Sequence, residues 1–167
     1  MNTLSLNRIL IDGTLLSLAM SVIIYASLRY NPRLWLQDYP AEIRAKVPPL
    51  TPGEKRAQRL LIIPFLLVMI GVPIYSTYLL RLENGGIISF LSAYLNVFFV
   101  TNLFNLFDAV VIDLLIGTFM KPKFAVIPGA EGMEYVFRNW GWHLANYLKG
   151  IVFCTIFSAP LALVALL

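Results

Sequence analysis

Four polar side chains lie within the most apolar part of the chain. They are Asn102, Asn105, Asp108 and Asp113, and they fall inside a long apolar stretch, residues 87–120. On an α-helix, where each residue turns by about 100°, they share an arc of about 140°. An unpaired acid near the centre of a bilayer costs at least about 2.5 kcal/mol, so this face must turn toward other helices, water or a ligand. The four residues form a candidate polar intramembrane site, and no pattern among them assigns a catalytic role.

The depth of Asp108 and Asp113 depends on which part of residues 87–120 crosses the membrane. As one straight helix this stretch would measure about 50 Å, whereas the hydrocarbon core is about 30 Å thick. If the span ends at Met120, at about 97–120, both carboxylates are buried. If it begins at Ile87, Asp108 reaches the interface and Asp113 lies beyond it, where basic groups could neutralise both. The basic groups available there are Arg29, Arg33, Arg59 and His143.

A second group of titratable residues follows the apolar stretch. Glu131 and Glu134 precede His143, and a carboxylate beside a histidine can hold and release a proton near neutral pH. The alternative is that His143 is a surface residue of an amphipathic helix. With the three arginines named above, these residues form a candidate site at the cytoplasmic interface.

Several kinds of chemistry lack the residues they need. The chain has one cysteine, Cys154, and one histidine, which excludes an internal disulfide, a Cys/His zinc site and a bis-histidine haem site. Asp108 and Asp113 lack the tight acidic spacing of a magnesium–diphosphate motif. No glycine-rich phosphate loop, serine elbow or H-E-x-x-H motif is present. We therefore expect no metal and no cofactor, and we interpret Cys154 as a packing residue.

The composition identifies the elements that must position these residues. Hydrophobic residues make up 59% of the chain and charged residues 13%, with a mean hydropathy of +0.75, which excludes a soluble globular domain. Apolar stretches predict spans at about 9–28, 60–80, 97–120 and 150–167. Residues 134–149 have the composition of an interfacial helix. We therefore predict a single all-α domain, 1–167, that forms an integral membrane four-helix bundle with an interfacial helix between helices 3 and 4.

The distribution of positive charge predicts the orientation. Segments 29–59 and 121–149 hold 11 of the 13 lysines and arginines, so they are expected to be cytoplasmic loops with both termini outside. The first span precedes its strongest charges, which favours a retained helix over a cleaved signal peptide. The net charge of +4 thus reports orientation in a cytoplasmic membrane. The expected partner is the lipid bilayer, with no nucleic acid.

Local signals refine two of these elements. Thr51, Pro52 and Glu54 form a capping-box pattern that predicts a helix start ahead of the second span. Within that span, Pro73 leaves the carbonyl of Met69 without its helical donor, which predicts a kink near Gly71.

The run Asn105-Leu-Phe-Asp108-Ala-Val-Val-Ile-Asp113, then Pro122, then Ile127-Pro128-Gly129-Ala-Glu131-Gly132, resembles a family of small bacterial membrane proteins without an assigned activity. The similarity covers mainly residues 105–149. It implies a bacterial cytoplasmic membrane but no reaction. It also marks the residues to test, which are Asn105, Asp108, Asp113, Pro128, Gly129 and Glu131.

Three functions agree with these observations. The first is a non-enzymatic accessory or scaffold subunit of a larger membrane complex, whose acidic face pairs with basic residues of its own bundle or of a partner. The second is transport of a small ion or solute along the Asn102/Asn105/Asp108/Asp113 face, which requires a homo-oligomer. The third is an enzyme that acts on a lipid headgroup at the inner leaflet, with Asp108 or Asp113 as acid or base.

Overall fold

The computed structural model describes residues 4–167. Within this part, four helices are long and apolar enough to cross a bilayer: α1 (Leu6–Tyr30), α3 (Pro52–Glu83), the long helix Phe90–Met120, and α5 (Trp140–Leu166). The long helix consists of α4 (Phe90–Phe107) and a continuation, Asp108–Met120, which we call the π segment. A short helix, α2 (Ala41–Lys46), and 3-10 turns occupy the connections. The all-α membrane bundle predicted from the sequence is confirmed.

Each long helix begins at a side chain that accepts a backbone N–H. The predicted capping box is present at α3, where Thr51 accepts from the Glu54 N–H and Glu54 accepts from the Thr51 N–H. Ser5, Ser89 and Asn139 cap the other helices in the same way. These caps satisfy amide groups that have no partner within the helix.

Ion pairs and hydrogen bonds define two ends of the bundle. At one end, Arg8 of α1 pairs with Glu83 of α3, and Arg81 donates to the carbonyls of Gly86 and Leu166. We call this the hairpin end, after the tight turn between α3 and α4. At the opposite end, the loop end, residues 31–51 and 121–139 lie together, as the sequence predicts. The orientation of these two ends across the membrane stays a prediction.

The helices pack through a narrow core and expose apolar side chains outward. Leu16 and Met20 of α1 and Val100 of α4 are fully buried and form one cluster with Met69 of α3. Many large apolar side chains remain exposed on the outer faces. Helices that are apolar on both their inner and outer faces are typical of a bundle surrounded by lipid.

The two loops form a small cap with its own core. Ile43 and Val47 from the first loop pack against Ile127 and Ala130 from the second. The Tyr39 hydroxyl donates to the Ala125 carbonyl at 2.7 Å. This cap closes over the ends of the helices and forms one wall of the site described below.

The predicted interfacial helix over 134–149 is wrong. Residues Glu134–Arg138 form only a 3-10 turn, and the residues from Trp140 to Lys149 are the first turns of α5. The reason is local: the Asn139 side chain caps a new helix by accepting from the Trp142 N–H at 3.1 Å. Gly150, predicted as the start of the last span, lies inside α5. The amphipathic composition of 140–149 reflects the end of a spanning helix that borders a polar cavity.

Candidate functional site

A change in helical hydrogen bonding begins at Asp108. From this residue to Met120 the helix widens to the π pattern, in which each N–H donates to the carbonyl five residues earlier. At its end, the Lys121 N–H donates to the Ile116 carbonyl at 2.9 Å. On an α-helix Asp108 and Asp113 would point about 140° apart. In the π pattern, residues five apart lie about one turn apart on the same side, so both carboxylates reach one cavity.

The π segment is held by a buried contact with α5. Thr118 Oγ1 lies 3.1 Å from the Asp113 carbonyl, 3.2 Å from the Phe137 carbonyl and 3.1 Å from His143 Nε2. His143 Nε2 also lies 2.7 Å from the Phe137 carbonyl. Because a carbonyl only accepts, Nε2 must carry the proton. The other nitrogen, Nδ1, is buried without a partner in the described residues.

His143 is therefore a buried packing group. Its side chain is 6% exposed, so its interpretation as a surface residue is wrong. The reason is that the turn at 134–138 covers the first turns of α5 and brings the Phe137 carbonyl onto the ring. His143 thus joins the π segment and the turn at 134–138 to α5, and it is not part of the cavity lining.

Asp108 and Asp113 line a cavity of about 660 Å³ between the helices and the cap. The wall that faces the bundle is apolar, with Ile24, Phe65, Phe104 and Ile112 among its residues. The remainder of the lining includes charged and polar groups from the two loops, the π segment and α5. The acidic residues are Asp38, Asp108, Asp113 and Glu134; the basic residues are Arg44, Lys121 and Lys149; the other polar residues include Gln37 and Asn146.

Three of these carboxylates, Asp38, Asp108 and Asp113, lie near one another in the lining of the cavity. Asp38 is close enough for its charge to act on both Asp108 and Asp113. The ion pairs found within residues 4–167 are Arg8–Asp12, Arg8–Glu83 and Arg33–Glu54, so none of the three is neutralised within 4 Å. Partly desolvated like charges destabilise one another. A cation bound beside these carboxylates would reduce their mutual repulsion.

The cap residues of the cavity have shifted acidities. Loss of water around its carboxyl group raises the pKa of Asp38, although Gln37 and the charge of Arg44 oppose this shift. Burial, aided by the charge of Asp38, raises the pKa of Tyr39. The Tyr39 hydroxyl thus stays protonated at neutral pH and remains a donor to the Ala125 carbonyl.

The arginines proposed as neutralising partners are engaged elsewhere. Arg29 stacks over the Phe124 ring at 5.4 Å. Arg33 donates to Glu54 at 2.6 Å and to two proline carbonyls. Arg59 donates to the Lys55 carbonyl. Within the described residues, none of the three forms an ion pair with Asp108 or Asp113. Simple charge neutralisation therefore does not account for the acidic face.

The two asparagines of the predicted polar face form hydrogen bonds to backbone carbonyls of the helices. Asn102 donates to the Phe98 carbonyl of its own helix at 3.3 Å. Asn105 donates to the Tyr147 carbonyl at 3.2 Å and so joins α4 to α5. The structure brings Asp108 and Asp113 to the cavity and leaves Asn102 and Asn105 outside its lining.

The predicted group of Glu131, Glu134 and His143 is not assembled. Glu131 is exposed and accepts from the Gly129 N–H at 2.9 Å. Hydrogen bonds from its own N–H and that of Gly129 lower the pKa of this carboxyl group. Glu134 lines the cavity, whereas His143 contacts Thr118 and Phe137. Glu131 therefore stabilises a turn, and of the three residues only Glu134 belongs to the site.

Sequence reasoning missed Asp38, Arg44 and Asn146 as site residues. Asp38 and Arg44 come from a proline-rich loop without periodicity, and the cap places them. Lys121 also lines the cavity. Its left-handed backbone, with φ of 45°, ends the π segment, and such a conformation is uncommon for a residue other than glycine. That unusual backbone has no signature in the sequence.

Comparison with protein-family models, curated proteins and solved structures finds no match to this chain. Within residues 4–167, the His, Cys, Asp and Glu side chains form no group of three that could hold a metal ion. Functional inference therefore rests on the cavity and its charges.

Proposed function

We propose that the protein binds, in this cavity, the headgroup of a membrane lipid that carries a cationic group. The observation that carries the proposal is the set of three carboxylates, Asp38, Asp108 and Asp113, that line one cavity while none of them forms an ion pair within 4 Å in the described residues. An ammonium group can donate to several carboxylates at once. It would thereby relieve their mutual repulsion.

The basic residues of the cavity favour a lipid that also carries a phosphate. Arg44, Lys121 and Lys149 line the same space as the carboxylates. Arginine and lysine are the usual partners of phosphate oxygens. A headgroup with an ammonium and a phosphate, as in phosphatidylethanolamine, would place one charge against each set.

The depth of the cavity along the bundle places a bound ligand near the boundary between the hydrocarbon core and the headgroups. The 18 residues of α4 cover about 27 Å, close to the thickness of the hydrocarbon core. Counted from the hairpin end, Asp108 then lies near the boundary, which favours the register that begins near Ile87. We infer that the loop end is cytoplasmic, in agreement with its excess of lysine and arginine, and that the membrane is the bacterial inner membrane.

The accessory-subunit hypothesis remains a second candidate. The same unpaired carboxylates would accept a lysine or arginine of a partner protein at the loop end. Transport has less support, because Leu16, Met20 and Leu80 are fully buried above the cavity and close the bundle in this conformation. A lipid-headgroup enzyme would use the same binding site, with Asp108 or Asp113 exchanging a proton with the ligand; nothing in the geometry requires that step.

Calorimetric titration in detergent with short-chain lipids tests the proposal. We expect phosphatidylethanolamine to bind and phosphatidylglycerol, with the same chains but no cation, to bind more weakly. Replacing both Asp108 and Asp113 with Asn should weaken phosphatidylethanolamine binding by about 10- to 100-fold, since charged hydrogen bonds are lost.

The matched control is Asp12→Asn, which removes a carboxylate paired with Arg8 at the hairpin end. It should leave binding unchanged. Equal binding of both lipids, or no loss in the double variant, would contradict the proposal. Heat release only on addition of a basic peptide would instead support the accessory-subunit candidate.

A further inference from the structure

A second hollow lies between α3 and α5, beside the cavity. It measures about 190 Å³ and is lined almost entirely by apolar groups. Leu66 and Met69 contribute from α3, and Gly150, Phe153 and Phe157 contribute from α5. Leu66 and Phe153 are 43% and 53% exposed, so this groove opens on the lipid-facing surface of the bundle.

The groove adjoins the headgroup cavity. Phe65 and Phe104 line both spaces and stand between them. Rotation of these two rings would join the two spaces and open a route from the bilayer, between α3 and α5, to the carboxylates.

A bound lipid needs such a route for a geometric reason. If its headgroup lies inside the bundle, its chains must leave between two helices to reach the hydrocarbon. At the inner end of the groove, Gly150 has no side chain and lets Asn105 Oδ1 pack against α5, since a Cβ there would lie only 1.9 Å from this oxygen. The wall that the chains would touch carries aliphatic and aromatic groups, which match hydrocarbon in polarity.

We propose that the groove between α3 and α5 holds a hydrocarbon chain of the lipid and is its lateral path to the cavity. This inference rests on the proposed headgroup function. It adds that the ligand is a lipid with hydrocarbon chains, taken from the bilayer. The groove holds a chain of this lipid, and the cavity recognises the charges of its headgroup.

Filling the groove tests this inference. Leu66→Trp adds bulk at the groove, and Leu67→Trp adds the same bulk next to it on a side chain that is 69% exposed and outside the groove. Phe153→Trp and Val152→Trp form a second pair on α5, where Val152 is 58% exposed and outside the groove, so that the control adds more bulk than the groove variant. The second pair keeps the test valid if one variant fails to fold.

The probes are dioleoyl-phosphatidylethanolamine and water-soluble phosphoethanolamine, which has the headgroup charges but no chains. We expect Leu66→Trp and Phe153→Trp to weaken binding of the long-chain lipid about tenfold, because a filled groove must be forced open. Binding of phosphoethanolamine should not change. The two control variants should match the wild-type protein with both probes.

The possible results separate the two proposals. If the groove variants bind the long-chain lipid as the wild-type protein does, the groove inference is wrong and the headgroup proposal stands. If they weaken binding of both probes equally, the effect is on the cavity and the groove inference is also overturned. If the wild-type protein binds neither probe, the headgroup proposal itself fails.

Discussion

The position of α4, which carries the π segment to the cavity, depends on a close contact with α1. Gly13 of α1 is buried against Leu103 of α4. A Cβ added at Gly13 would lie 2.6 Å from Leu103 Cδ2 and 2.9 Å from Leu103 Cβ. Optimal carbon–carbon contacts are about 3.5–4.0 Å. Rotation of the leucine can relieve the first contact but not the second, because Cβ is fixed to the backbone.

Gly13→Ala must therefore push the two helices apart by at least about 0.6 Å to restore contact distance. Overpacking of this kind costs about 1–3 kcal/mol. The substitution also gains helix propensity, by about 0.5–1 kcal/mol. Gly71→Ala provides the control, because a Cβ at Gly71 of α3 meets no atom within 4 Å and gains the same propensity.

The prediction is that Gly13→Ala is less stable than Gly71→Ala by about 1–3 kcal/mol. Reversible denaturant unfolding in micelles measures this difference, with the wild-type protein as reference. Gly71→Ala should equal or exceed the wild-type stability. Equal stability of the two variants would refute the close packing of α1 on α4.

Three further predictions concern the loop end. Replacing Arg33 with Gln should lower the free energy of unfolding by about 2 kcal/mol, because the partly buried Glu54 carboxylate loses the charged Arg33 donor. An unchanged denaturation midpoint would contradict this prediction. Thr118→Val should destabilise the protein by about 1–2 kcal/mol through the lost hydroxyl contacts, and Thr118→Ser should restore it in the same unfolding assay. The Gly129 amide signal in NMR should titrate with a midpoint below 4.5, the ordinary pKa of Glu131. The stabilisation of this turn is then present above that pH and is lost as the pH falls through the lower folded-state pKa, whereas in Glu131→Gln the signal should not titrate.

Much of the fold follows from local features of the sequence. The lengths of the apolar stretches predict the spanning helices, and the capping box at Thr51 places the start of α3 correctly, because both signals act within a few residues. The grouping of positive charge predicts that the two loops share one end. The structure of residues 134–149 was not predictable in this way, because a single N-cap hydrogen bond at Asn139 determines where α5 begins.

The site was predictable only in part, for physical reasons. The cost of a carboxylate in lipid singled out Asp108 and Asp113, and both line the cavity. Their alignment depends on the π segment, which contacts α5 through Thr118 and His143, and a tertiary contact of this kind cannot be predicted from local sequence. Asp38 reaches the cavity through the packing of one loop on another, and no periodicity records that contact.

The central claim is that the cavity selects a lipid with a cationic headgroup. Native mass spectrometry of the gently solubilised protein tests it most directly. We predict one retained phosphatidylethanolamine per chain in the wild-type protein and its loss when Asp108 and Asp113 are both replaced with Asn. Retention of phosphatidylglycerol at the same level, or an unchanged spectrum for the double variant, would contradict the claim.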